Sequence, residues 1–248
     1  MKKLANKYAV VTGASTGIGK AIAIEFAKQG AFVFLTARTE DRLKVVQQII
    51  GKNVGKAKAV PADLSSVKST NGLIEKVKKT TNRIDVIVNA AGVWHDQGQV
   101  YAASVFESFS QDVIIKTFNV GITAPALIVH DLLPLMPAKA KILNISGKFS
   151  HGAKNWLPYY LSKKAIEDLT VGLSEELEER DIQINCISPS DTGTDSYKRF
   201  YPRAEEKTLT PENISQFASH LCSGDADTIT GKIYVMIAGH EPYEAFHT

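Results

Sequence analysis

The run Tyr159-Tyr160-Leu161-Ser162-Lys163-Lys164 sets two phenols each four residues ahead of an ammonium. Residues four apart share a helix face, so Tyr159 pairs with Lys163 and Tyr160 with Lys164. Spacing alone cannot choose between the pairs. The apolar stripe can: at about 100° per residue, Ile166, Leu169, Leu173 and Leu177 define a core direction, and Tyr159 falls within roughly 40° of it. Lys163 borders that stripe, whereas Tyr160 and Lys164 point nearly the opposite way. A phenol beside an ammonium can carry a proton to or from an oxygen. Its pKa of about 10 must approach about 7 to do so at neutral pH, which takes roughly 4 kcal/mol. An ammonium about 4 Å away supplies that order of energy at an effective dielectric of about 20. Tyr159 with Lys163 is the candidate acid–base pair.

The start of the chain offers a place for a bound partner. Residues 8–11 read as a short buried strand and 20–28 as an amphipathic helix, with Gly13, Gly17 and Gly19 between them in the spacing Gly-x3-Gly-x-Gly. A turn without β-carbons lets backbone approach a pyrophosphate, and the new helix presents unpaired N–H groups and a positive dipole end. Gly13, Ser15, Thr16, Gly17, Ile18 and Gly19 are the expected phosphate-side residues. An ordinary turn is the bland alternative; the setting between a strand and a helix favours a dinucleotide.

Apolar runs suited to buried parallel strands recur at 8–11, 32–36, 57–60, 86–88, 142–145, 182–187 and 233–236. Helical patterns separate them at 18–28, 40–50, 65–80, a long stretch ending near Leu133, 157–179 and 211–221. Strict alternation predicts an α/β fold: a Rossmann-like, doubly wound, seven-stranded parallel sheet with helices on both faces. No repeat or linker divides residues 1–248, so a single domain is expected. Residues 188–210 are too long for a routine connection, and read either as a lid or as a loop with one short helix.

In order along the chain, Thr12-Gly13-x3-Gly17-x-Gly19, Asp63-Leu64, Asn89-Ala90-Ala91-Gly92, Asn119, Tyr159-x-x-Ser162-Lys163, and Pro189 with Thr194 resemble the motifs of the short-chain dehydrogenase/reductase family. The resemblance implies hydride exchange between a nicotinamide dinucleotide and a secondary alcohol or ketone. Tyr159 would be the acid–base and Lys163 would lower its pKa and bind ribose. Asn119 would interrupt the middle helix and anchor a relay water. It also implies contacts to the dinucleotide from Asp63, Leu64, Asn89, Ala90, Ala91, Gly92, Pro189, Thr192 and Thr194. Read without the resemblance, Asp63 is a helix N-cap and Asn89 a brace between strands. A serine that orients the carbonyl is expected thirteen residues before the tyrosine, which gives Ser146. Counting from the strand instead puts Gly147 there, with Ser150 and His151 as nearby alternatives. Ser190 stands where the family has Gly after Pro189.

Charge at the end of the second strand separates the two dinucleotides. Ala37 stands where an acidic residue would bond ribose hydroxyls, and Arg38 offers a fork suited to a 2′-phosphate, so NADP(H) is favoured over NAD(H). Thr16 supplies no second basic group. The expected substrate walls, 95–101, 149–157 and 188–210, carry or adjoin Trp94, Trp156, Tyr197, Phe200 and Tyr201, which suits a bulky or apolar small molecule.

Bulk properties narrow the field. With 44% apolar and 22% charged residues and a formal net charge of +3, nothing marks a nucleic-acid surface. No apolar run reaches membrane-span length, and no paired-histidine spacing points to a metal. Cys186 and Cys222 read as buried thiols rather than a disulfide. A cytoplasmic homo-oligomer, dimer or tetramer, is expected. Two rivals stand: a 3-oxoacyl-thioester reductase of the same family, and a nucleotide-binding regulator without catalysis. A Rossmann-type methyltransferase would leave Tyr159-x3-Lys163 unexplained.

Overall fold

Every residue of β4 (Val86–Asn89), β5 (Lys141–Ile145) and β6 (Gln183–Pro189) is buried, as central parallel strands covered on both faces must be. The computed structural model of the protein describes residues 2–53, 55–96, 98–102, 104–149, 152–202 and 208–247. Strands β1 (Tyr8–Thr12), β2 (Phe32–Thr36), β3 (Lys56–Ala59), β7 (Ile233–Met236) and β8 (Tyr243–Glu244) complete one sheet, ordered 3-2-1-4-5-6-7-8. Seven of these strands run parallel, as expected. The eighth is a correction: β8 pairs antiparallel with β7 through Tyr234–Glu244 and Val235–Tyr243. At the other edge, β3 reads Lys-Ala-Lys-Ala with both lysines exposed.

Side-chain alternation sends neighbouring residues to opposite layers. Val11, Val33 and Leu35 join Ile22 and Phe26 of α1 (Gly17–Lys28), Val46 of α2 (Glu40–Lys52) and Leu221 of α8 (Pro211–Leu221). Val10 and Phe34 face the other way, onto Leu73 and Ile74 of α3 (Val67–Lys78) and Ile128 of α5 (Ala124–Leu132). Strand order reverses between β1 and β4, so a crevice opens beyond their carboxyl ends.

The expected long middle helix is divided. α4 (Gln111–Phe118) passes into a wide π segment, Asn119–Thr123, before α5 begins. Contrary to the sequence reading, the helical run Gln111–Leu135 is long and apolar enough to cross a membrane by length and composition. It lies instead between α3 and α6 (Leu157–Glu176), with Ile128, Val129 and Leu132 in the core. The π segment brings Gly121 against α6, where a β-carbon on it would come within 2.7 Å of the Ser162 side chain. In the 188–210 segment, α7 (Asp195–Phe200) supplies the short helix.

Candidate active site

Backbone geometry at the start of α1 matches a phosphate cradle. Gly13 and Gly17 have φ of +67° and +54°, which residues bearing a β-carbon rarely adopt. On Gly19 a β-carbon would lie 2.5 Å from the Gly13 carbonyl oxygen, and on Gly17 it would lie 3.1 Å from Thr194 Cγ2. Thr12 Oγ1 accepts from the amides of Ala90 and Ala91 at 3.0 and 3.2 Å, which fastens the Asn89–Gly92 turn beside the cradle. These residues border a cleft of about 2130 Å³. The types and spacing fit a dinucleotide.

Most of the expected dinucleotide residues line this cleft. Ser15, Thr16 and Ile18 do so at the cradle, Asp63 and Leu64 after β3, and Pro189, Thr192 and Thr194 after β6. Arg42, in the first turn of α2, was missed. It lines the same cleft as Arg38 and brings a second guanidinium to the wall that Thr16 leaves neutral. The signal was present as Arg38-x3-Arg42 across a helix start. Asp63 is not an N-cap: Ser66 caps α3, while Asp63 Oδ1 accepts from the amide and hydroxyl of Ser65 at 3.0 and 2.8 Å.

Two asparagines do not line the cleft. Asn89 Nδ2 donates to Asn144 Oδ1 (2.9 Å), and Asn144 Nδ2 donates to Thr170 Oγ1 (2.9 Å), so the Asn89 side chain braces β4, β5 and α6. Asn119 opens the π segment, and its Nδ2 donates to the Ser65 carbonyl at 2.9 Å. Its side chain ties the π segment to the turn before α3.

Tyr159 and Lys163 meet at the cleft floor. Lys163 Nζ donates to the Ile145 carbonyl at 2.8 Å and lies 5.3 Å from the centre of the Tyr159 ring. Gly92 admits both, since a β-carbon there would sit 3.3 Å from Lys163 Nζ and 3.5 Å from Tyr159 Cε2. Burial lowers the Lys163 pKa to about 8 and pushes the Tyr159 phenol above its ordinary value. From sequence the phenol is expected near neutrality, whereas burial alone raises it here, and at pH 7 the pair is a neutral phenol beside a cation.

Ser146 lines the cleft wall, and its hydroxyl donates to Glu167 Oε1 at 2.6 Å and lies 2.9 Å from the Lys163 carbonyl. A hydroxyl has one proton, and the carboxylate engages it. Gly147, the other counted position, faces Phe149 Cε2 and Lys163 Cγ at 3.4 and 3.8 Å from a built β-carbon. Ser150 and His151 lie outside the described residues. Lys164, expected from the helical wheel to face away from the core, does not. It is buried, with its ammonium 3.2 Å from both oxygens of the fully buried Glu167. Glu167 itself went unnoticed, although Lys164-x-x-Glu167 spacing could have flagged an ion pair.

Aromatic rings border the floor. Trp156 and Phe149 lie 6.1 and 5.9 Å from the Tyr159 ring. Trp94 lies 6.4 Å from Trp156 and 5.8 Å from Phe200 of α7.

A family model described as short chain dehydrogenase matches residues 7–204. The chain belongs to the short-chain dehydrogenase/reductase family, an oxidoreductase family. Short-chain dehydrogenase/reductase FrzI of Cladobotryum sp is 30% identical, over 93% of this chain and 94% of that relative. The 3-oxoacyl-[acyl-carrier-protein] reductase FabG of Aquifex aeolicus is 29% identical, over 93% and 96%. Among solved structures, landomycin C-6 ketoreductase LanV with bound NADP and rabelomycin has a TM-score of 0.83 and 30% identity, covering 94% of this chain and 95% of that one.

Proposed function

We propose that the protein is an NADP(H)-dependent oxidoreductase interconverting a ketone and a secondary alcohol, with the ketone carried on a flat aromatic body. The observation that carries this reading is Tyr159 beside the anchored ammonium of Lys163 at the floor of the glycine-turn cleft. A bound dinucleotide would supply the hydride for reduction at the substrate carbon and accept it in oxidation. Tyr159 gives its hydroxyl proton to the substrate oxygen in reduction and is left as the phenolate. Lys163 holds positive charge beside the phenol as it becomes phenolate. Gly13, Gly17 and Gly19 admit the pyrophosphate, and the Trp94, Phe149 and Trp156 rings of the cleft offer faces on which a planar substrate can stack. LanV, which was solved with NADP and rabelomycin, is a relative in keeping with this class. The protein works in the cytoplasm as a dimer or tetramer, in keeping with two buried unpaired thiols and its family. An NADPH-consumption screen over polycyclic aromatic ketones, aliphatic ketones and acyl thioesters tests the reading. Turnover of thioesters alone would favour the 3-oxoacyl reductase alternative.

A second reading has its own support. The engagement of Ser146 by Glu167 fits a nucleotide-binding regulator without turnover. NADPH binding with no reduction of any ketone in the screen would select it.

Two expected results follow from the cleft wall and floor. Arg38→Ala should weaken NADPH binding about tenfold while leaving NADH binding unchanged, and adding Arg42→Ala should bring the two affinities together. Equal dissociation constants for NADPH and NADH in the wild type would refute the assignment. The pH dependence follows from Lys163, whose ammonium form is the active one. For reduction, kcat/KM for NADPH, which reports groups of the free enzyme, should be level at pH 6–7 and fall as pH rises through about 8. A level profile to pH 10 would count against a role for that charge.

A further inference from the structure

Glu167 is charged, fully buried and one helical turn past Lys163, yet nothing in the proton transfer uses it. Three groups bind its carboxylate. Ser146 Oγ reaches Oε1 at 2.6 Å, the Lys164 ammonium lies 3.2 Å from both oxygens, and the backbone amide of His247 donates to Oε2 at 3.1 Å. The segment ending at His247 is itself secured. β8 pairs with β7, the Ala245 amide donates to the Ile233 carbonyl at 3.0 Å, and the His247 ring lies 3.0 Å from Asp168 Oδ1. A buried carboxylate sealed this way is costly to keep unless its partners fix something.

What it fixes is the end of β5. Ser146 follows Ile145, whose carbonyl accepts the Lys163 ammonium at 2.8 Å. From one side, the Ser146 amide donates to the Ile187 carbonyl at 2.8 Å; from the other, its hydroxyl is held by Glu167. The peptide carrying the lysine's acceptor is thereby clamped between β6 and α6. We propose that Glu167 is a positioning residue: through Ser146 it sets the Ile145 carbonyl that aims Lys163 at Tyr159, and docking of residues 243–247 seals this clamp. The proposal rests on reading Tyr159 and Lys163 as the acid–base pair. It gives Ser146 a structural task in place of a contact to substrate oxygen.

The test is a double-mutant cycle on the full chain with Ser146→Ala and Glu167→Gln. Each single variant should lower kcat about tenfold, the rate equivalent of one hydrogen bond to a charged group, with NADPH affinity within about twofold. The double variant should lose no more than the worse single one, because the two residues act as a unit. Multiplicative losses would overturn the proposal and return Ser146 to the substrate. Should Glu167→Gln fold poorly, Glu167→Leu with Lys164→Met replaces the buried pair by apolar volume. It should melt like the wild type yet keep the kcat loss, and normal kcat in it would overturn the clamp. A readout free of turnover is the Lys163 ammonium signal in a lysine side-chain 1H–15N spectrum, assigned by its loss in Lys163→Met. Displacement in both Ser146→Ala and Glu167→Gln is expected, and an unmoved signal in both refutes the clamp. A displaced signal in a protein that reduces no ketone would leave the clamp standing and reject the proposed reaction.

Discussion

Tyr159→Phe should abolish ketone reduction, with kcat falling about 10³-fold, while NADPH binds within about twofold of the wild type. The substitution removes one hydroxyl and keeps the ring, so the contacts to Phe149, Trp156 and the Lys163 ammonium survive. Loss of turnover then reports the proton and not the packing. Tyr160→Phe is the matched control. Its ring lies 5.4 Å from Phe149 and 5.7 Å from the Lys164 ammonium, contacts that phenylalanine also makes, so most activity should remain. Steady-state kinetics with NADPH titration decides between the two. An active Tyr159→Phe protein would remove this residue from the chemistry.

Gly19→Ala should remove dinucleotide binding and destabilise the fold by about 1–3 kcal/mol. The added methyl would sit 2.5 Å from the Gly13 carbonyl oxygen, 2.7 Å from its carbonyl carbon and 2.9 Å from the Thr12 carbonyl oxygen. All three are backbone atoms, so no rotamer change relieves the clash, and the Gly13–Thr16 turn must move. Gly72→Ala provides the contrast. It lies inside α3 with nothing within 4 Å of the new carbon, so it should stabilise by about 1 kcal/mol through helix propensity. Thermal melts and NADPH titrations of both variants check the pair. Wild-type melting and affinity in Gly19→Ala would mean that the turn is not the cradle.

Strand and helix order was readable because the central parallel strands are continuous apolar runs and the helices between them are amphipathic; the edge strand β3, expected as a buried apolar run, has no buried residue. β8 carried no such signal: Tyr243 and Glu244 are both exposed, and their pairing with β7 is a tertiary fact. Tyr159 with Lys163 was readable because one helix sets both positions. Ser146 was not, since β5 is buried on both faces and alternation there says nothing about which way a strand-end hydroxyl turns. Lys164 and Glu167 were misjudged for a related reason. Hydropathy counts each as wet, while together they neutralise one another inside the protein. The buried side-chain bond of Asn89 to Asn144 follows the plainer reading from residue type, a brace between strands.

The two-residue β8 has a consequence for handling the protein. A parallel sheet ends in strands whose outer N–H and C=O groups can recruit another chain. On one border β8 occupies those groups of β7, and Lys232–Glu244, 2.9 Å apart, ties it down. On the other, the exposed Lys56 and Lys58 of β3 repel a second copy that would pair there. One border is shielded by a hydrogen-bonded strand as well as an ion pair and the other by charge alone, so high salt should weaken the second more than the first. Fibrillar or sheet-stacked aggregates grown in concentrated salt should therefore propagate from β3, and replacing its two lysines with threonine should make them form in dilute buffer.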